Sequence, residues 1–203
     1  MSTEDPGPVV RRARADDQDG AARLLLESGG AVYPLFAGSS EAALRTLRAG
    51  YRRPGNTASA EVVSVAELDG RVAGVVVAFP VIEGASRARS YLRLSLARMP
   101  PWRWPQALRI FGALRPTPPP HALYVDAVAT SADHRRRGVA SALLGAAAVE
   151  ARERGCTHLA LETELENVAA RALYGGQGFQ ETGTLPPVAQ GLGEGYVCLV
   201  RTL

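Results

Sequence analysis

The sequence predicts an α/β (α+β) protein, and three observations lead to this class. The 203 residues suit one ordinary domain with a sizeable hydrophobic core. Apolar residues make up 46% of the chain and aromatic residues only 6%, which favours a core packed by Ala, Val and Leu. Runs rich in β-branched residues alternate with Ala- and Leu-rich runs of helical periodicity, so both kinds of element are expected.

Cap and turn residues divide the chain into elements in the order β-α-α-β-β-β-α-β-α-β-β. Asp16 is a cap for the first helix and Gly29-Gly30 ends it, while Asp69-Gly70 predicts a hairpin between two β-branched runs. The predicted strands are 9–14, 61–68, 71–79, 121–129, 157–164, 178–184 and 196–202. The predicted helices are 16–27, 40–49, 137–154 and 167–175.

The segment 84–120 is predicted to be a helical insertion between the third and fourth strands. It contains seven arginines and no acidic residue, and Pro100-Pro101 separates two amphipathic pieces. It could be a solvated helical flap packed by its Trp and Leu residues, a lid over a neighbouring site, or a basic surface for an acidic partner. We expect a single domain over 9–203, preceded by a disordered tail over 1–8.

Composition excludes several classes of function. All 23 basic residues are arginine, so a P-loop lysine and a Schiff-base lysine are both impossible. No Cys or His spacing suggests a metal site, and the arginines are not interleaved with aromatic residues as in a nucleic-acid platform. The polar N-terminus is unlike a signal peptide, and no apolar run is long enough to span a membrane. We therefore expect a cytoplasmic enzyme that binds neither metal nor nucleic acid.

A run of arginines lies between the fourth strand and the Ala-rich helix that follows. A helix start presents unpaired N–H groups at the positive end of the helix dipole, and guanidinium groups bind phosphate oxygens. The segment therefore predicts a phosphate site, with a solvated arginine surface as the alternative. Its residues are Arg135, Arg136, Arg137, Gly138, Val139, Ala140 and Ser141.

A second motif covers the helix 167–175 and the turn after it. Asn167 and Tyr174 are two helical turns apart and are expected to project from one face. The two motifs together resemble the GNAT N-acetyltransferase superfamily over roughly residues 121–183. The first, Arg/Gln-x-x-Gly-x-Gly/Ala, is matched by Arg135, Gly138 and Ala140. The second, Asn-x-x-Ala-x-x-Leu-Tyr-x-x-x-Gly-Phe, is matched by Asn167, Ala170, Leu173, Tyr174, Gly178 and Phe179.

The resemblance implies a fold and an activity. The GNAT fold is a mixed, mostly antiparallel twisted sheet of about seven strands flanked by about four helices. Acetyl-CoA would be the donor, and the acceptor would be a primary amine of a small molecule or of a protein N-terminus. The alternative is a non-catalytic acetyl-CoA sensor or interaction protein on the same scaffold. Either a monomer or a homodimer is compatible with the sequence.

The resemblance also implies roles for individual residues. The pyrophosphate would lie on the amides of residues 136–141, next to Arg135, and Asn167 would bond the pantetheine arm unless it only caps its helix. The arm would follow the fourth strand near Val128, Ala129 and Thr130. Tyr174 is the candidate general acid because a phenol can protonate a thiolate, although it could simply pack against the cofactor. Glu162 is the first candidate base and Asp126 the second; either could act through water or be structural.

Overall fold

The structure of the protein is a computed structural model that describes residues 7–113, 116–190 and 192–203. The predicted tail over 1–8 lies almost wholly outside these residues. The strands are β1 Val9–Arg12, β2 Val63–Leu68, β3 Arg71–Pro80, β4 Ala122–Thr130, β5 His158–Glu164, β6 Gln180–Leu185 and β7 Tyr196–Thr202. The helices are α1 Gln18–Ser28, α2 Val32–Ala37, α3 Ser40–Tyr51, α4 Val81–Leu96, α5 Trp104–Ala113, α6 Val139–Glu153 and α7 Val168–Gly176.

The strands form one sheet in the order β1-β2-β3-β4-β5-β7-β6. Every neighbouring pair is antiparallel except β4 and β5, which run parallel in the middle of the sheet. A parallel pair needs a long crossover, and α6 supplies it between β4 and β5. The predicted mixed, mostly antiparallel sheet of seven strands is confirmed.

The two faces of the sheet carry separate cores because successive strand residues point to opposite sides. On β3, Val76 and Ala78 belong to the cluster around α6, which also contains Tyr174 of α7. Val75 and Val77 belong to the cluster formed with α1 and α3. We call these the α6 face and the α1 face.

Three features of the helices differ from the predicted pattern. The predicted cap Asp16 lies in a short 3-10 turn before α1, and the N-cap residue of α1 is Asp17. The short helix α2 was not predicted, because Gly29-Gly30 indicated a loop and Pro34 disfavours a helix interior, whereas here Pro34 falls within the first turn. The insertion begins at Val81, immediately after β3, rather than at residue 84. Its first turn therefore includes the acidic residue Glu83. Leu114, which belongs to the second of the two predicted amphipathic pieces, lies outside the described residues.

The insertion has a hydrophobic core of its own, shared with α2. Phe36 of α2 packs with Met99, Ala107 and Ile110, all four of which are buried. Met99 lies beyond the end of α4 but still contributes to this core. The insertion is thus packed by its Leu residues but not by its tryptophans, which are exposed. Helices α4 and α5 form a layer joined to the α1 face through Tyr91, which contacts both clusters.

Candidate active site

The sheet opens between β4 and β5. Their parallel ladder covers only Ala122–Tyr124 of β4 and His158–Ala160 of β5. Beyond it, β4 remains paired with β3 as far as Thr130, and β5 remains paired with β7 as far as Glu164. Each strand thus presents an edge of unpaired backbone groups to the other, and such groups need hydrogen-bond partners. We call this opening the β4–β5 gap.

A β-bulge places Asp126 beside the gap. Val125 pairs with Ala78 and Ala127 pairs with Val77, so Asp126 is the additional residue in β4. Bulges bend a strand and redirect a side chain, and they are frequent next to active sites. The bulge explains how a carboxylate occurs within an otherwise apolar strand: Asp126 is exposed rather than packed in the core.

The segment 135–141, here called the phosphate loop, joins β4 to α6. The backbone φ angle is negative at Arg135, +61° at Arg136 and +78° at Gly138, which is the N-cap of α6. Alternation of this kind turns successive N–H groups toward one concavity, a geometry that binds anions. The first intrahelical bond joins Ala142 N to Gly138 O. The N–H groups of residues 139–141 therefore have no acceptor within the helix, as expected for a helix start.

Gly74 of β3 seats the phosphate loop against the sheet. A Cβ atom at this position would lie 2.6 Å from Val139 Cγ1 and 2.8 Å from Ala129 O, too close for any residue but glycine. The first turn of α6 can approach β3 only because this side chain is absent. Sequence reasoning missed Gly74, although a glycine within a β-branched run is a signal for such an approach.

The three arginines of the phosphate loop, Arg135, Arg136 and Arg137, are exposed. Arg137 Nη1 forms an ion pair with Asp69 Oδ2 in the β2–β3 turn, at 2.9 Å. Asp69 would thus compete with a bound phosphate for this guanidinium group, and it also ties the loop to the hairpin.

The residues predicted to follow the pantetheine arm lie on β4 as expected. Val128, Ala129 and Thr130 pair with Val76, Val75 and Gly74. Thr130 Oγ1 is buried and has no hydrogen-bond partner among the described residues. A buried hydroxyl in this state is costly, so the end of β4 fits a ligand with polar groups.

Asn167 is the N-cap of α7, and its Oδ1 accepts a hydrogen bond from Ala170 N at 3.1 Å. The expectation that Asn167 and Tyr174 project from one helical face is wrong, because Asn167 lies before the first helical residue and its side chain turns back to the helix start. Only the Nδ2 group remains to donate to a ligand, so a contact with pantetheine stays a prediction.

Two carboxylates lie on the α1-face side of the gap. Leu161 points into the α6-face core, so its neighbour Glu162 points to the opposite side, where the Tyr124 hydroxyl donates a hydrogen bond to Glu162 Oε2. Reduced solvation raises the pKa of Glu162, and the hydrogen bond from Tyr124 partly offsets this effect. Surrounding protein and the charge of Glu162 raise the pKa of Asp126 to about 7. Many protein groups surround Asp126, but its side chain still contacts solvent at the gap.

Tyr174 lies on the other side of the sheet. Its ring packs in the α6-face core and contacts Phe179 edge to face, with ring centroids 5.7 Å apart. Burial raises the pKa of Tyr174 to about 12, so the phenol remains protonated throughout the neutral range. It is also a weaker acid than the ordinary phenol expected from the sequence.

Three further tyrosines near the carboxylates were missed by sequence reasoning. Tyr124 holds Glu162, while Tyr33 of α2 and Tyr91 of α4 lie close enough to Asp126 for its charge to act on their hydroxyls. Burial is the main reason that the pKa of each hydroxyl is raised. Tyr33 and Tyr91 had no recognisable signal, since they belong to an unpredicted helix and to the insertion.

The chain belongs to the acetyltransferase (GNAT) family, whose family model matches residues 31–179. This match confirms the resemblance on which the site residues were chosen. Within the part of the chain described by the structure, no cluster of three or more His, Cys, Asp or Glu residues could hold a metal ion. The described helices include none long and apolar enough to cross a membrane.

The chain is similar to several characterised or solved proteins. It is 38% identical to N-acetyltransferase 8B of Rattus norvegicus over 85 residues, which are 40% of this chain and 38% of that protein. It is 45% identical to aminoglycoside N(6')-acetyltransferase type 1 of Acinetobacter haemolyticus over 49 residues, 24% of this chain and 34% of that protein. The match thus spans less than two fifths of either relative. A crystal structure of an acetyltransferase shares the fold with a TM-score of 0.75 and 22% identity, covering 96% of this chain and 98% of that one.

Proposed function

We propose that the protein is an N-acetyltransferase that transfers the acetyl group of acetyl-CoA to a primary amine. The observation that carries this proposal is the β4–β5 gap. Tyr174 and Glu162 lie on opposite faces of the sheet, and a continuous sheet would separate them. The gap opens directly beyond Tyr124 and Ala160, so groups from the two faces can act on one reacting centre there.

The residues present fit acetyl-CoA as a substrate. The phosphate loop offers the N–H groups of residues 139–141 and three exposed arginines to the pyrophosphate. The unpaired edge of β4 and the orphaned Thr130 hydroxyl offer polar partners to the pantetheine arm. Backbone N–H groups at the gap would polarise the thioester carbonyl, the role of an oxyanion hole.

The acceptor would reach the thioester from the α1 face, where the carboxylates lie. Its ammonium proton must be removed before the nitrogen can form a bond to the carbonyl carbon. We assign the removal of this proton to Asp126, because its carboxylate has no hydrogen bond among the described residues and is exposed at the gap. Glu162 is already held by Tyr124, and it raises the pKa of Asp126. This assignment reverses the order of preference drawn from the sequence.

The departing thiolate needs a proton as the carbon–sulfur bond breaks. Tyr174 is the candidate donor, since its hydroxyl is protonated at neutral pH and its ring lies in the same core as Val139, at the helix start that ends the phosphate loop. Its raised pKa makes this transfer uphill in the ligand-free protein, so water is the competing donor.

The proposal is tested by measuring thiol release from acetyl-CoA with a panel of primary amines. We expect amine-dependent release by the unmodified protein. Tight binding of acetyl-CoA without release for any amine would instead indicate a non-catalytic sensor. Absence of both would contradict the proposal.

The pH dependence of this reaction identifies the base. We expect kcat/KM to rise with pH through an apparent pKa near 7 that belongs to the coupled Asp126–Glu162 pair, since the accepting carboxylate must be ionised. Asp126→Asn should lower kcat/KM by about a hundredfold and abolish this rise. Glu162→Gln should keep the rise but move it to lower pH, because a neighbouring negative charge has been removed. If Glu162→Gln abolished the rise and Asp126→Asn kept it, Glu162 would be the base. Full activity of both variants would exclude both carboxylates as the base.

A further inference from the structure

A group of large apolar side chains lies in solvent on the outside of the insertion. Trp102 is 79% exposed, Trp104 41% and Leu108 47%. Trp104 and Leu108 are four residues apart, so they share the outer face of α5. The inner face is formed by Ala107 and Ile110, which are fully buried. The helix α5 is therefore apolar on both sides, and among the described residues its buried side chains belong to the inner side.

The outer side chains have a rigid base. Trp104 Nε1 donates a hydrogen bond to Leu96 O at the end of α4, at 3.2 Å. Between the two tryptophans, Arg103 Nη2 donates to Leu35 O of α2 at 3.1 Å. The surface is thus built on packed helices, and its exposure is not the fraying of a loose segment. We call Trp102, Trp104 and Leu108, with the exposed Arg98 and Arg109, the tryptophan surface.

Beyond Glu83 in the first turn of α4, all charged residues of the insertion are basic. Residues 84–120 contain seven arginines and no acidic residue. The exposed arginines among those described are Arg89, Arg93, Arg98 and Arg109. Arg109 directly follows Leu108, and Arg98 lies between the end of α4 and Trp102, so an exposed arginine stands on each side of the apolar group in the sequence.

The exposed tryptophans and arginines together indicate which kind of partner binds the tryptophan surface. A second copy related by a two-fold axis would bring the arginine-bordered surface against itself, and like charges would repel. An anionic bilayer fits both the tryptophans and the arginines, because indole rings favour the headgroup boundary and arginines attract lipid phosphates. We propose that the tryptophan surface docks the protein onto an anionic phospholipid membrane, with Trp102, Trp104 and Leu108 entering the headgroup boundary.

The chain offers a direct reporter for this interaction. Trp102 and Trp104 are its only two tryptophans, so intrinsic tryptophan fluorescence reports on this surface alone. The full chain is titrated with vesicles of phosphatidylcholine, or of phosphatidylcholine mixed with phosphatidylglycerol. We expect a blue shift of the emission and roughly tenfold stronger partitioning onto the anionic vesicles, decreasing as salt is added.

Matched variants distinguish binding through the tryptophan surface from non-specific adsorption of the protein to vesicles. Trp102→Ala leaves Trp104 as the reporter and should weaken partitioning, whereas Ile82→Ala removes a side chain that is 90% exposed elsewhere and should not. Arg109→Glu should weaken partitioning on the order of tenfold. Arg23→Glu, at an exposed arginine of α1, is the control for net charge.

Three results would overturn the inference. The first is the absence of a blue shift with anionic vesicles, and the second is an equal shift with both kinds of vesicle. The third is a blue shift without vesicles that grows with protein concentration together with a dimer mass, which would assign the surface to self-association. None of these results bears on acetyl transfer, which is measured separately by thiol release.

Discussion

Replacing Tyr174 with Phe is expected to lower kcat by about a hundredfold while the dissociation constant of acetyl-CoA stays unchanged. The substitution keeps the ring that packs with Phe179 and removes only the hydroxyl. If that hydroxyl protonates the departing thiolate, its loss affects the transition state and not the bound substrate. Steady-state kinetics and calorimetric titration with acetyl-CoA measure the two quantities independently.

Tyr51→Phe is the matched control for this variant. Tyr51 is also buried, but its hydroxyl donates to Arg14 O outside the candidate site. We expect its removal to lower the free energy of unfolding by about 1 kcal/mol and to leave kcat unchanged. An equal loss of acetyl-CoA binding and turnover in Tyr174→Phe would make that hydroxyl structural. Unchanged turnover would assign the proton to water or to another group.

Replacing Gly138 with Val is expected to weaken acetyl-CoA binding on the order of a hundredfold, because the side chain would occupy the concavity above the phosphate loop. Apart from Gly138 itself and its two chain neighbours, no described residue has an atom within 4 Å of a Cβ built at this position, so the space on this side is open to a ligand. The φ angle of +78° adds backbone strain for any residue with a side chain, and stability must be measured alongside binding.

Gly155 provides an unusually close control, since it follows the other end of α6. Its φ angle is +70°, and a Cβ there also meets no atom of the described residues within 4 Å beyond the glycine and its two chain neighbours. Gly155→Val should therefore lower the melting temperature about as much as Gly138→Val without changing acetyl-CoA affinity. If both variants bind acetyl-CoA as tightly as the unmodified protein, the phosphate loop does not bind the pyrophosphate.

The parts of the fold that depend on local signals could be predicted from the sequence. The β2–β3 hairpin follows from Asp69-Gly70, which both adopt the positive φ angles that such a turn requires. The start of α6 follows from Gly138, so the position of the phosphate loop is readable from the residues alone. Tyr174 was identified by a motif, and the structure places it in the helix expected.

The parts that depend on contacts between distant segments could not be predicted. The bulge at Asp126 arises from the register between β3 and β4, which no local pattern encodes. The width of the gap depends on how far the β4–β5 ladder extends, and this is set by the packing of whole strands. Tyr91 lies near Asp126 only because α4 packs against the sheet. The residues on the acceptor side of the site therefore could not be predicted from the sequence.

Binding of the acetyl-CoA pyrophosphate by the phosphate loop is the central claim for this protein. The direct measurement compares the equilibrium binding of acetyl-CoA with that of acetylpantetheine, which carries the same thioester and arm but no pyrophosphate. We expect acetyl-CoA to bind on the order of a hundredfold more tightly, with the difference shrinking as salt is added, because charge-assisted hydrogen bonds supply it. Equal affinity for the two compounds, or no binding of acetyl-CoA at all, would contradict this claim.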